Sequence, residues 1–208
     1  MVYVILGAPG SGKGTRSEIL EEKLGVIHIS TGSLIREDTE MYEKHKEELE
    51  KGQLLSDEVI SEILKRKLER DCKGKTCIID GYPRTIEQAH ILDSMMSELG
   101  EKLEKVFLLE VDIDTIYSRI LSRTVCSGCG RIYNEKYAKE NNNKCGNCGK
   151  ELVLRLDDNV ATLKNRINLY YENIDEIKQY YSDKNILEIV DANEEPNKIV
   201  ERIQKWYI

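Results

Sequence analysis

The sequence predicts an α/β fold: a five-stranded parallel sheet flanked by helices on both faces. Three observations carry this. Short apolar runs alternate with stretches of helical periodicity along most of the 208 residues. The first of these runs passes through a glycine-rich loop directly into a helix. Residues 124–157 then break the alternation with small polar residues, glycines and four cysteines, the composition of an inserted subdomain.

Val2 to Leu6 is short, apolar and β-branched, and it ends at a glycine, as a buried strand does. Gly7, Gly10, Gly12 and Gly14 crowd the following loop, G-A-P-G-S-G-K-G-T at 7–15, and Ile19, Leu20 and Leu24 then recur at helical spacing. Strand, glycine loop and helix make a phosphate cradle. Glycines let successive N–H groups point at an anion, and the helix N-terminus adds partial positive charge. Lys13 is placed to reach the outer phosphates. The strict pattern has Ser or Thr directly after the lysine; here Gly14 intervenes before Thr15, which shifts the expected hold on Mg²⁺ toward water and phosphate.

Gly25 reads as a helix C-cap and Val26 to Ile29 as a second strand. Ser30-Thr31-Gly32 supplies capping hydroxyls for a helix with Leu34, Ile35 and Arg36. Residues 37–53 are mostly charged and read as solvated, helical and mobile, with no core stripe. Ser56 opens a helix with Asp57 and Glu58 in its first turn and an apolar face of Val59, Ile60, Ile63, Leu64 and Leu68. Thr76 to Ile79 is a buried strand ending in Asp80-Gly81-Tyr82-Pro83-Arg84, and Thr85 with Gln88 forms a capping box for the next helix. Lys105 to Val111 is the next strand, followed by a helix with Ile113, Ile116, Ile120 and Leu121 that also brings Arg119 and Arg123. After the insert come a long helix, Asn159 to Ser182, holding Arg166, a last strand, Ile186 to Val190, and a last helix, Pro196 to Trp206. His28, His45 and His90 have no partner spacing and read as structural; the tyrosine pairs at 170–171 and 180–181 read as packing.

Composition narrows the function. The net charge of −7 argues against a broad nucleic-acid surface but leaves small anionic ligands open. No run of about 18 apolar residues spans a membrane. The N-terminus enters the first strand at once, leaving no room for a signal peptide, so a cytoplasmic location is expected. Six cysteines then point to metal or free thiols. Cys126-x-x-Cys129, fifteen residues and Cys145-x-x-Cys148 fit a four-cysteine zinc site, each half followed by a glycine. Four thiolates leave no position for substrate, so one zinc ion per chain would be structural. An iron–sulfur cluster or two disulfides are the alternatives. Cys72 and Cys77 lack such spacing and read as unligated thiols.

Asp80 ends a buried strand where α/β sheets bind ligands, and an acidic residue there holds Mg²⁺ near nucleotide phosphates; a helix cap or an arginine partner is the plainer reading. Arg36, Arg84, Arg119, Arg123, Arg155 and Arg166 cluster around predicted strand ends and the insert's junctions. Planar guanidinium groups clamp phosphates and neutralise charge during phosphoryl transfer. Asp157-Asp158 reads as an ion-pair latch or a helix start.

Together these motifs resemble the adenylate kinases, specifically the bacterial-type long form with a zinc-bearing lid, over nearly the whole chain. The markers are residues 7–15, S-T-G-S-L-I-R at 30–36, D-G-Y-P-R-T at 80–85 with Gln88, the four-cysteine insert, and R-L-D-D at 155–158 with Arg166. Gly14 is normal for this family. The resemblance implies a P-loop nucleotide kinase fold with a core of residues 1–29, 56–123 and 158–208, a segment for the nucleoside monophosphate at 30–55, and a zinc-binding lid at 124–157. It implies ATP contacts at Gly10, Ser11, Gly12, Lys13, Gly14, Thr15, Arg119, Arg123, Ile132 and Tyr133. The turn from Ala192 to Glu195, Glu194 included, would meet adenine through its backbone. The implied AMP contacts are Thr31, Arg36, Gln53, Leu54, Leu55, Gly81, Tyr82, Pro83, Arg84, Gln88, Arg155 and Arg166. Catalysis would fall to Lys13, Arg84, Arg123, Arg155 and Arg166, with Asp80 linked to Mg²⁺. Two positions depart from the family: Ser33 replaces a frequent acidic residue, and Arg16 a common glutamine.

The implied reaction is ATP + AMP ⇌ 2 ADP with Mg²⁺, in a monomer without nucleic-acid or membrane partners. UMP or CMP is the alternative acceptor. A nucleic-acid-binding ATPase with a zinc ribbon is the alternative class; the mixed charges of the insert and the acidic chain count against it.

Overall fold

The structure, a computed structural model, describes residues 1–155 and 158–206. The strands β1 (Val2–Gly7), β2 (Ile27–Ser30), β3 (Cys77–Asp80) and β4 (Leu103–Glu110) belong to the main sheet. The insert supplies β5 (Arg123–Cys126), β6 (Ile132–Asn134) and β7 (Leu152–Leu154), and β8 (Leu187–Asp191) returns to the main sheet. That sheet is parallel throughout, in the order β2-β3-β1-β4-β8. The observed strands start or end one or two residues from the predicted bounds, because pairing rather than apolarity sets where a ladder stops.

The alternation along β1 shows why both faces need helices. Val2, Val4 and Leu6 pack on one side with Ile79, Leu92 and Tyr181; Tyr3 and Ile5 pack on the other with Leu20, Phe107 and Ile199. The first side is covered by α5 (Asp57–Asp71), α6 (Ile86–Leu99) and α9 (Val160–Asp183), and the second by α1 (Lys13–Leu24) and α10 (Pro196–Gln204). A central strand buried on both faces has no polar face to show, which is why β1 reads as an unbroken apolar run. Of the apolar residues of α1 only Leu20 is buried, beside Arg16 and Ser17, while Leu24 faces solvent. The caps read from sequence appear at Gly25, Ser56 and Thr85, whose hydroxyl accepts from the Gln88 amide at 3.1 Å.

Two expectations are corrected. Cys72 and Cys77 are joined by a disulfide. Cys72 caps the end of α5 and Cys77 opens β3, and the tight turn between them brings the Cα atoms to 6.0 Å, within bridging range. A spacing of five that means nothing for a metal is therefore short enough to staple a helix to the next strand. Residues 37–53 do contribute to the core: α2 (Thr31–Glu37) is followed by α3 (Thr39–Lys44) and α4 (Lys46–Glu50), and Met41 and Leu49 pack against the main cluster. Two apolar residues eight positions apart on two short helices leave no periodic stripe to read.

The insert is a three-stranded antiparallel sheet, β6-β5-β7, with α8 (Glu135–Glu140) beside it. Its apolar cluster is small: Cys126, Ala138, Cys145 and Leu152, with Tyr133 and Tyr137 against them. Arg131 ties it to α1 through Glu22 at 2.5 Å and Glu18 at 3.6 Å. The latch expected of Asp157 lies outside the described residues; Asp158 is described.

Candidate active site

The phosphate loop runs from the end of β1 into α1, as the sequence predicts. Gly12 caps the helix with φ +84°, and a Cβ there would lie 2.0 Å from the Arg16 guanidinium, so this position requires glycine twice over. Lys13 Nζ donates to the carbonyls of Gly7 at 2.7 Å and Ala8 at 3.0 Å. Burial pushes the Lys13 ammonium down to about 8; Arg84, Arg166 and Arg123 push the same way, and Asp80 opposes them. A Cβ at Gly14 would sit 3.5 Å from Asp80 Oδ2 and 3.9 Å from Ile132 Cδ1, which places both the carboxylate and this residue of the insert against the loop.

Asp80, at the C-terminal end of β3, is buried. Burial works to raise its carboxyl, but His28, Lys13 and Arg84 outweigh it and the net shift is downward. His28 Nε2 lies 3.7 Å from Asp80 Oδ2, so this histidine, read as merely structural, faces the site.

Two cavities of about 90 Å³ each adjoin between the loop, α9 and the 30–55 segment. Lys13 and Pro83 line the first; Thr31, Arg36, Gln88 and Arg155 line the second; Gly52, Leu54, Gly81, Arg84 and Arg166 line both. Gln53 and Leu55 also face the second. Thr31 Oγ1 donates to the Gly81 carbonyl at 3.0 Å, and Arg84 Nε to the same carbonyl at 2.7 Å, so the two sides of the second cavity meet at the turn after β3. Burial pushes the Arg84 guanidinium down, Asp80 opposing and Arg155 reinforcing. Tyr82, joined to Pro83 by a cis peptide, is buried beneath this turn with its hydroxyl 2.8 Å from Ser61 Oγ.

Arg123 makes a two-pronged pair with Asp158, Nε to Oδ2 at 2.6 Å and Nη2 to Oδ1, and Arg166 Nη1 stands 3.8 Å from the same carboxylate. Asp158 thus performs the latch function of the two readings offered for it. Its buried carboxylate neutralises two of the predicted phosphate-binding arginines. Arg119 is turned elsewhere: its Nη2 donates to the Ala192 carbonyl at 3.2 Å. Glu194 pairs through its side chain with Arg202 at 2.7 Å.

Two residues of this neighbourhood carry no signal of a site role in the sequence. Asp57, legible only as a helix-start carboxylate, accepts from Gln88 Nε2 at 2.7 Å and Thr85 Oγ1 at 3.2 Å, while the Arg84 amide donates to Gln88 Oε1 at 2.7 Å. Gln88 is held at both ends of its amide. Gly52 is the other: a Cβ there would meet Arg166 Cγ at 2.8 Å and the Thr162 carbonyl at 2.9 Å, so α9 packs directly on the backbone leaving α4.

In the insert, the sulfurs of Cys126, Cys129, Cys145 and Cys148 all lie within 4.8 Å of one another. A tetrahedral zinc with bonds of about 2.3 Å sets its sulfurs about 3.8 Å apart, so the quartet fits such an ion with little movement. The amides of Gly128 and Asn147 donate to Cys126 Sγ at 3.3 Å and Cys145 Sγ at 3.4 Å, as thiolate knuckles require. Tyr133 places its hydroxyl 3.3 Å from Cys145 Sγ. Burial pushes the Cys145 thiol up, but Tyr133 and the Cys148 and Asn147 amides hold it down, to about 6.

A family model described as adenylate kinase matches residues 5–186. Among curated relatives, the adenylate kinase of Elusimicrobium minutum is 37% identical over 99% of this chain and 98% of its own length. That of Thermotoga neapolitana is 39% identical over 99% of this chain and 96% of its own. That of Archaeoglobus fulgidus is 39% identical over 98% of this chain and 96% of its own. These matches do not favour a zinc-ribbon ATPase. Because they run through the phosphate loop, both cavities and the cysteine-bearing insert alike, the chain belongs to the adenylate kinase family.

Proposed function

We propose that the enzyme transfers the terminal phosphoryl group of Mg-ATP reversibly to AMP, giving two ADP. One observation carries this most directly: Arg84 and Arg166 line both of two adjoining cavities, one entered from Lys13 and the phosphate loop, the other from Thr31, Arg36 and Gln88. That is the arrangement of a group passed between two phosphorylated molecules.

A phosphate oxygen of AMP attacks the γ-phosphorus in line, the bond to the β–γ bridging oxygen breaks, and the electron pair leaves with the first ADP; no bond to the protein forms. The amides of residues 10–15 hold the donor phosphates. Lys13 exchanges its bonds to Gly7 and Ala8 for phosphate oxygens. Arg123 and Arg166 exchange the Asp158 carboxylate for the migrating group, since guanidinium binds both anions with the same fork. Arg84 and Arg155 neutralise the acceptor side. Positioning and charge neutralisation supply the acceleration. Asp80 would hold Mg²⁺ through water beside Gly14, where the ion would neutralise phosphate charge. One zinc ion on Cys126, Cys129, Cys145 and Cys148 would supply the folding energy that the small apolar cluster of the insert lacks.

The 30–55 segment and the 124–157 insert are read as the parts that close over the two nucleotides and exclude water, which competes with AMP as acceptor. The approach of Ile132 to the loop, 3.9 Å from where a Cβ on Gly14 would stand, favours that reading for the insert. A cytoplasmic monomer acting on ATP, AMP and ADP alone completes the proposal; the described helices include none long and apolar enough to cross a membrane.

The test is the initial rate with Mg-ATP against AMP, UMP, CMP, GMP and no acceptor. Strong AMP-dependent ADP formation is expected. Preference for a pyrimidine monophosphate would keep the mechanism and change the acceptor, and hydrolysis without acceptor would overturn the two-site reading.

A further inference from the structure

Arg16 is only 1% exposed, and it is among the largest side chains buried in the described chain. Its partners are carbonyls. Nη1 donates to Ser11 O at 2.9 Å and Gly12 O at 3.1 Å; Nη2 donates to Ala192 O at 3.1 Å and approaches Glu194 O at 3.5 Å. Arg119 Nη2 donates to the same Ala192 carbonyl at 3.2 Å. No carboxylate pairs with Arg16 among the described residues. Burial, reinforced by Arg119, pushes its guanidinium down to about 10. Burying a cation against neutral acceptors beside a second cation is costly. An anion arriving at the loop offsets that cost.

We propose that Arg16 is a positioning residue for the donor nucleotide, fixing the span between the phosphate loop and the turn at 192–194 and strengthening the loop's anion-binding amides. This rests on the donor assignment of residues 10–15 above. The physical route is short. The Ser11 carbonyl shares its peptide unit with the Gly12 N–H, and the Gly12 carbonyl with the Lys13 N–H. A guanidinium drawing electron density from both carbonyls makes both N–H groups better donors to phosphate. The second prong acts on the base end. The Ala192 carbonyl, held from two sides on a fully buried residue, fixes the turn at one distance from the loop. Arg16 touches neither end of the nucleotide; it sets how far apart the two ends are.

The experiment compares wild type with Arg16→Met, which removes the charge, and Arg16→Lys, which keeps the charge without the fork. Dissociation constants for ATP, inorganic tripolyphosphate and AMP are measured on the metal-loaded enzyme, together with the Michaelis constants for both substrates and thermal unfolding. Arg16→Met is expected to weaken ATP at least tenfold while changing AMP less than twofold. Arg16→Lys is expected to keep tripolyphosphate within about threefold of wild type while ATP loses much of its advantage over tripolyphosphate. Arg16→Gln, which retains an amide donor, serves if Arg16→Met does not fold. Unchanged ATP affinity, whatever happens to the melting temperature, or equal losses for ATP and AMP, would overturn the inference. A wild type without AMP-dependent ADP formation would instead overturn the functional reading, so the two failures are distinct.

Discussion

Replacing Lys13 by methionine is expected to abolish turnover and raise the melting temperature together. The ammonium is half-buried over the loop carbonyls, and that burial, reinforced by Arg84, Arg166 and Arg123, lowers it to about 8. Against an ordinary lysine value of about 10.5, that gap corresponds to about 3 kcal/mol of cost for the charged form at neutral pH. Methionine removes this cost but also loses the bonds to Gly7 and Ala8, so a net gain of about 1–2 kcal/mol is expected. For a chain of this length that is roughly 2–6 °C. Turnover, by contrast, loses a charge-assisted contact to the migrating phosphoryl and is expected to fall about 10³-fold or more. The sign with pH follows from the same group. The native state gives up the Lys13 proton before the unfolded state does, so between about 8 and the ordinary lysine range wild-type stability rises with pH, and Lys13→Met flattens that rise. Calorimetry across pH 7–10 with initial rates is the assay. A melting temperature that falls, or turnover within tenfold of wild type, would refute the reasoning.

Three further outcomes follow from particular contacts. In wild type, kcat/KM for ATP is expected to decline above about pH 8 as Lys13 loses its proton, while kcat holds to higher pH because bound phosphates restore the charge; matching profiles would contradict this. Asp57→Ala is expected to free Gln88 and raise the KM for AMP roughly tenfold, the equivalent of one lost charge-assisted hydrogen bond, with the KM for ATP nearly unchanged. With zinc chelated under denaturing conditions, four thiols are expected to react before reduction and six after it; replacing the Cys72–Cys77 pair by serine is expected to cost about 2 kcal/mol, read by denaturant unfolding.

Much of this protein is local, and its sequence carries that part. A strand that runs into glycines and then a helix is encoded within about fifteen residues, because strand pleat, positive φ and helical period are all short-range. The four-cysteine cluster is equally legible, since metal geometry is imposed on side chains three residues apart and the two halves need only meet once. The arginines are visible as residues but not as a constellation.

The tertiary structure decided which charges face which. Arg16 bridges to Ala192 across 176 positions, Arg123 meets Asp158 across 35, and Asp57 fixes Gln88 across 31. None of these pairings leaves a periodic trace, because a charged residue in a helix looks the same in sequence whether it is solvated or buried. The Cys72–Cys77 bridge was hidden for the opposite reason: its spacing is local, but only the turn from α5 into β3 brings the two Cα atoms within reach. Composition and periodicity set the frame because they report what is buried from water. The site depends on what is buried together, and that is settled only when distant segments pack.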